Sequence, residues 1–381
     1  MRSMFRILIV SCALAMIAGC NDDVLTSVAK KANEPLPQSI VATMHEKDMS
    51  KTSPIMMRIF KEEGVLEVWK QKGDGTYGKV ADYEICAWSG KLGPKLKEGD
   101  RQAPEGFYLI KPAQMNPNSS YYLSFNIGFP NNYDESQGRT GSNIMIHGAC
   151  SSAGCYSMTD ENVAQIYAFA RDAFRGGQRS FQVEAFPFRM TPANMAKHRT
   201  NPNFEFWKML KVGYDYFEIT KRPPDVEVCD RKYVFNQQVM DDSPFVATAA
   251  CPSMKTPDTL RTAYSSYEQQ YDTAYEQAVA EQKADATQKQ MIAERKQAVE
   301  DARAQREVAA AERKAQSRQA ANSFISSLMP GSNGSDAGRA MAEAGMTTGS
   351  IGAPQTRQAA PTTSPVQAKP ADDKKPFWKL W

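Results

Sequence analysis

The stretch Ile144-Met-Ile-His-Gly-Ala-Cys-Ser-Ser-Ala-Gly-Cys-Tyr-Ser-Met-Thr-Asp160 reads as a strand, a turn and a helix start. Over residues 143–147 the side chains alternate, Ile144 and Ile146 facing one way and Met145 and His147 the other. Small residues follow as far as Cys155. Ser157-Met-Thr-Asp160 then has capping-box spacing, and Val163, Ile166, Tyr167, Ala170 and Phe174 recur at helical intervals up to Gly176-Gly177. A histidine therefore ends a strand, and a cysteine follows eight residues later, just before a helix.

That pairing has a chemical meaning. A thiol becomes a nucleophile when a base takes its proton, and a helix N-terminus lowers its pKa further. The N–H groups of Ala153, Gly154 and Cys155 are placed for an oxyanion hole, with no bulky side chain at Ala153 or Gly154 to block a carbonyl. The expected chemistry is acyl transfer, with Cys155 as nucleophile, His147 as base and a thioester between them. Histidine is scarce here: His45 lies in a polar segment, and only His198 competes for the role.

Outward from this stretch, a mixed α+β domain is expected over residues 54–237, mainly β with two helices. Residues 65–69 and 79–88 read as a hairpin around Gly73-Asp-Gly75, and residues 107–110, 121–127 and 180–186 as strands. Thr191-Pro192 opens the second helix, and residues 214–220 and 226–235 are expected to close the sheet. The Gly-, Pro- and charge-rich residues 89–106 form a loop, where Lys91 and Lys95 are candidates to hold substrate carboxylates, as is Ser152 beside the thiol for substrate binding.

The ends have different compositions. Arg2 and Arg6 precede an apolar run from Ile7 to Ile17 that is too short to span a bilayer, and Ile17-Ala18-Gly19-Cys20 resembles a lipobox. Residues 1–19 are expected to be a lipoprotein signal peptide, with lipid on Cys20 and residues 20–53 as a tether. Tyr264, Tyr267, Tyr271 and Tyr275 begin a helical stripe, and residues 258–320 read as a long solvated helix or weak coiled coil. Residues 321–381 are expected to be a disordered tail, ending in cations and aromatics that suit a membrane interface or a partner groove.

With a mean hydropathy of −0.53, one good core is expected in this 381-residue chain. Arg2 and Arg6 hold most of the formal +3 charge, so the chain from Cys20 onward is almost neutral and gives no support for nucleic-acid binding. Export places it in an oxidising compartment, periplasm-facing in a bacterial envelope and held to the membrane by the N-terminal lipid. Five cysteines remain, Cys86, Cys150, Cys155, Cys229 and Cys251, so at least one is free unless it pairs with another chain. Whether the other four form disulfides or stay reduced is open. Their spacing does not suit zinc, and no cofactor is expected.

His147-Gly148 followed by Ser152-Ala-Gly-Cys155 resembles the His-Gly and Ser-His-Gly-Cys elements of the YkuD-type L,D-transpeptidases. Cys86-Ala-Trp-Ser-Gly-Lys-Leu-Gly-Pro-Lys95, Pro104-Glu-Gly-Phe-Tyr108, Met115-Asn-Pro-Asn-Ser119 and Pro187-Phe-Arg-Met-Thr-Pro192 are similar to its YafK-like branch. The resemblance covers about residues 54–235. It implies a catalytic cysteine acting on peptidoglycan stem peptides, with Cys155, His147 and Gly154 as nucleophile, base and oxyanion-hole member. Ala153 stands where most of the family has a second histidine, and Tyr156-Ser157 replaces an apolar-Arg pair.

The expected function is thus cysteine-dependent acyl transfer on stem peptides, for cell-wall remodelling or protein–peptidoglycan linkage, with envelope lipoproteins or outer-membrane proteins as further partners. The rivals are a hydrolase releasing lipoprotein from peptidoglycan and a catalytically silent peptidoglycan-binding scaffold. A papain-like protease has only His198 in its favour.

Overall fold

A computed structural model of the chain describes residues 22–328. The expected signal segment, the lipidated Cys20 and the tail beyond Leu328 lie outside them.

Two five-stranded mixed sheets form the domain. The first runs β3 (Tyr77–Glu84), β2 (Val65–Gln71), β1 (Ile55–Phe60), β10 (Phe181–Phe186), β5 (Gly106–Ile110), with β1 and β10 parallel and the other neighbours antiparallel. The second runs β4 (Ala87–Trp88), β9 (Tyr156–Ser157), β8 (Met145–His147), β7 (Tyr122–Asn126), β6 (Met115–Ser119). Here β8 and β9 are parallel, so the chain must leave and return in the same direction around the loop that holds Cys155.

The expected single sheet is divided at Ile85-Cys86. Residues 79–88 do not make one strand: β3 stays in the first sheet and β4 crosses to the second. Both sheets bury apolar side chains, among them Ile59, Val183, Leu123 and Ile146, with helix α4 (Asp160–Arg175). α4 answers the helical periodicity: Val163, Ile166, Tyr167, Ala170 and Ala173 are all buried. Its N-cap is Thr159, which accepts from the Asn162 N–H, and not Ser157, which is paired in β9.

The other face of the first sheet carries a second core. Helix α5 (Pro192–Lys197) starts as expected, with Thr191 as cap and proline at N1. Residues 214–220, expected as a strand, are the end of helix α6 (Phe204–Thr220). Their neighbours explain the difference: Trp207, Leu210, Tyr214 and Phe217 fall on one helical face, packed over Phe60 and Phe186. Residues 226–235 form a separate hairpin, β11 (Val226–Cys229) and β12 (Lys232–Phe235), which covers the first sheet instead of extending it. The helices therefore exceed the two expected.

The tether over residues 20–53 is also overturned where it is described. Helices α1 (Asp22–Ala32) and α2 (Gln38–Glu46) lie on the domain. Leu36, Met44 and Met49 enter the main core, and Arg171 donates to the carbonyls of Ala32 and Glu34. Sparse apolar residues in a polar segment gave little periodicity to read, yet three of them suffice to dock it.

Beyond a small α3 (Asn132–Ser136) and the β13–β14 pair (Gln238–Val239, Met254–Lys255), helix α7 spans Asp258–Leu328. It runs past residue 320, so residues 321–328 are helix and not tail. Its first turns are not solvated: Tyr271 donates to the Met190 carbonyl at 3.0 Å, Lys211 Nζ sits 3.3 Å from the Tyr271 ring centroid, and Tyr264 packs against Tyr216. The tyrosine stripe is thus used within the chain. Residues 293–328 form a separate unit and are exposed almost throughout.

Candidate active site

The loop 148–155 joins two parallel neighbours, β8 and β9, and its backbone is held at each end. Gly148 donates to the carbonyls of Tyr121 and Leu123. A Cβ at Gly148 would lie 2.5 Å from Asp160 Oδ1 and 2.9 Å from the Tyr121 carbonyl oxygen, so only glycine fits. Ala149 and Cys150 follow with φ of 64° and 38°, a left-handed region costly for residues with a Cβ. Three restraints hold them there. Ala149 N–H is donated to Asp160 Oδ1, Cys150 N–H to the Met158 carbonyl, and the Cys150 sulfur is bonded to Cys86.

The second disulfide joins Cys229 to Cys251, which leaves Cys155 as the free cysteine among the described residues. The thiol lies beside β8: the Met145 N–H is donated to Sγ at 3.4 Å, and Sγ–H points to the Asn143 carbonyl at 3.9 Å. Met145 and His147 share a face, as the alternation predicts, while Ile144 and Ile146 are in the core. Cys155 and His147 consequently line one cavity of about 470 Å³, together with Asn116, Tyr121, Ser124 and Ser152.

His147 is buried, and its Nδ1 is 2.6 Å from the Gly148 carbonyl oxygen. A carbonyl only accepts, so Nδ1 carries the proton and Nε2 keeps its lone pair as a base. The Tyr121 ring lies 4.7 Å from the imidazole and limits its rotation. Burial lowers the imidazole pKa, partly offset by the Gly148 bond. Burial pushes the Cys155 thiol up, against the Met145 N–H and the Lys95 charge, which pull it down. The expected depression by the helix is therefore not found. α4 begins five residues after Cys155, its first turn carries Asp160 and Glu161, and its cap is occupied. Both shifts favour a neutral thiol and a neutral imidazole in the resting protein.

The remaining candidates separate. Gly154 has φ of +130°, a conformation that favours glycine, and its N–H is donated to Ser152 Oγ at 3.3 Å. An added Cβ there would meet only ordinary contacts, so the backbone angle and not crowding calls for glycine. Ser152 Oγ also donates to the Cys155 carbonyl and meets Ser89 Oγ at 2.9 Å, so it braces the loop while lining the cavity. Lys91 is exposed and does not line the cavity. Lys95 is buried, bonded to Asp100 and to the Lys97 carbonyl. Its charge acts on the thiol, but its donors are committed and do not make it a carboxylate hook. His198 stacks on Phe188 and meets Glu62 at 3.1 Å, away from the cavity.

The sequence reading missed Tyr121, Ser89, the Met145 N–H and the Cys86–Cys150 bond. Nothing local marks the first three; the odd cysteine count allowed the fourth without assigning partners.

Residues 57–185 match the model of the YkuD family, L,D-transpeptidase catalytic domain. The chain is 46% identical over 185 residues to "Putative L,D-transpeptidase YafK" of Escherichia coli strain K12, covering 49% of this chain and 75% of the relative. The same figures hold for the protein of that name from Escherichia coli O157:H7. Among solved structures, the helical cell shape determining protein Pgp2 from Campylobacter jejuni is 20% identical, covering 50% of this chain and 80% of that one, with a TM-score of 0.29. Bdellovibrio bacteriovorus Bd1075 is 24% identical over 36% of this chain and 49% of that one, with a TM-score of 0.26.

Proposed function

The chain belongs to the YkuD family of L,D-transpeptidase catalytic domains, in its YafK-like branch, and from that premise we propose that it transfers acyl groups of peptidoglycan stem peptides through a Cys155 thioester. The observation that carries the reading is the shared cavity, with His147 Nδ1 committed to Gly148 and Nε2 left as the base beside the Cys155 thiol.

The amide bond following diaminopimelate is the one broken. Sγ attacks its carbonyl carbon as Nε2 of His147 takes the thiol proton. The C–N bond then breaks, and that proton goes to the leaving amine. The N–H groups around Gly154 and Cys155 stabilise the oxyanion; Gly154 must release Ser152 Oγ to take part. In the second half, an amine or water gives its proton to His147, attacks the thioester carbonyl and expels the thiolate, which recovers the proton. An amine yields a cross-link or a protein linkage; water yields cleavage, the outcome that would release a lipoprotein. The enzyme works facing the periplasm, anchored by lipid on Cys20, with stem peptides and envelope proteins as its partners.

The full chain is incubated with purified sacculi, with and without an added amine, and the products are identified by mass. Wild type alters the muropeptides and accumulates a mass adduct on Cys155. If Cys155→Ala alters them equally, the thioester route is wrong; if neither protein changes them and no adduct forms, the chain is a binding scaffold.

A further inference from the structure

A second cavity, of about 600 Å³, lies at the free edge of β5, lined by Phe107, Leu109, Lys111, Asn126, Gln182 and Glu227 among others. β5 is the outermost strand of its sheet, so alternate residues aim their backbone groups away from β10. The outward phase is marked by what satisfies it. Phe107 donates its N–H to Tyr233 OH, and its carbonyl accepts from Asn131 Nδ2 at 2.7 Å. Lys111 donates its N–H to Gln114 Oε1 at 2.8 Å. Leu109, midway between them, has the same phase, and no side chain among the described residues caps it. Its own side chain is 55% exposed.

Gly128 lies beside the Leu109 carbonyl oxygen, and a Cβ added there would make only an ordinary contact with it, at 3.6 Å. Gln182, paired opposite Leu109 and 8% exposed, gives Nε2 to the Pro224 carbonyl, but its buried Oε1 has no partner. Lys111 and Glu227 line the cavity and form no ion pair among the described residues. An uncapped N–H and C=O on a strand edge match the main chain of an extended polypeptide, which offers both groups at one residue. A cation and an anion with no ion pair among the described residues ask for side chains of opposite charge.

We propose that this cavity docks an extended polypeptide segment, which adds to the edge of β5 through the N–H and C=O of Leu109 and sets an acidic residue against Lys111 and a basic one against Glu227. The site adjoins the thiol cavity: Ser124 lines that one and Asn126 this one, two positions apart on the same face of β7. Docking does not depend on chemistry at the thiol.

The probe is a library of phage-displayed decapeptides selected on the full chain, with Cys155→Ala used in parallel. Enriched peptides should bind both proteins equally and carry both charges. Leu109→Pro, which removes an outward N–H and no ladder bond, should weaken them by about tenfold or more. Lys111→Glu should shift the selection away from acidic residues. Methylating the peptide nitrogen that faces the Leu109 carbonyl should abolish binding to the unaltered chain, an arm that does not rely on a folded variant. The proposal is overturned if no peptide is enriched, or if selected peptides tolerate both Leu109→Pro and backbone methylation.

Discussion

The thiol of Cys155 accepts the backbone N–H of Met145, two residues before His147 on the same face of β8. One strand thus carries both the N–H that holds the thiol and, two residues or about 7 Å further along, His147. Because burial favours the neutral form of both groups, the pair stores a proton on sulfur until a substrate arrives.

Alkylation by iodoacetamide reads that proton directly. The midpoint for Cys155 should lie above the ordinary thiol value of 9.0, since burial raises it. The acid limb of thioester formation should fall below 6.5, because burial lowers the His147 pKa. The unfolded chain binds the imidazole proton more readily, so this group's contribution to stability is present above 6.5 and is lost as the pH falls through that value. His147→Gln should slow thioester formation by about 10²–10⁴-fold and remove the limb, measured by stopped-flow mass analysis across pH.

Lys95→Met removes the charge that draws the thiol pKa down. The alkylation midpoint should rise further still. The same change frees Asp100, now held at about 2: burial raises it, but the Lys95 bond and the N–H groups of Lys97, Gln102 and Leu96 outweigh that. Stability from Asp100 is present above its unfolded value of 3.8 and lost as the pH falls toward 2. In Lys95→Met this acid-dependent loss should shrink in a pH series of thermal melts.

The disulfide Cys86–Cys150 ties the start of β4 to the strained residues of the nucleophile loop. Its 64-residue separation sets a loop-closure contribution of about 4 kcal/mol at most. Cys86→Ser with Cys150→Ser should lower the unfolding free energy toward that limit. It should also cost about tenfold or more in thioester formation, because Ala149 and Cys150 relax out of left-handed φ and carry Cys155 with them. Unchanged acylation by the double variant would place the disulfide outside the machinery.

Lys61 is fully buried and faces the carbonyls of Lys91, Gly93 and Ala103 and the carboxylate of Glu105. It anchors the loop whose Ser89 meets Ser152. Lys61→Met strands Glu105, which keeps only the Gly93 and Trp207 N–H groups, and should cost about 3–5 kcal/mol in urea unfolding.

Met44 of α2 is 1% exposed in the main core. Met44→Ala should cost about 2–3 kcal/mol by chemical denaturation, whereas an undocked tether would lose almost nothing.

Much of the domain was legible because periodicity is a local property. Residues 160–175 repeat their apolar side chains at helical spacing, and residues 143–147 alternate, so both elements and the facing of His147 could be read directly. Residues 214–220 could not, since Tyr214, Tyr216 and Phe217 suit a strand as well as a helix; Trp207 and Leu210 on the same packed face decide for the helix. Residues 20–53 were read as a tether because three apolar side chains, Leu36, Met44 and Met49, make no pattern, and only the core they enter gives them weight.

The sequence by itself marked the candidate groups: an odd number of cysteines after Cys20, a histidine eight residues before Cys155, and glycines where the loop must turn. The tertiary structure alone decided its electrostatics and its geometry. A pKa depends on what surrounds a group in space, so burial, and not the following helix, raises that of Cys155. Disulfide partners and a sheet's free edge are likewise relations between distant residues, and no local reading of Cys150 or Leu109 contains them.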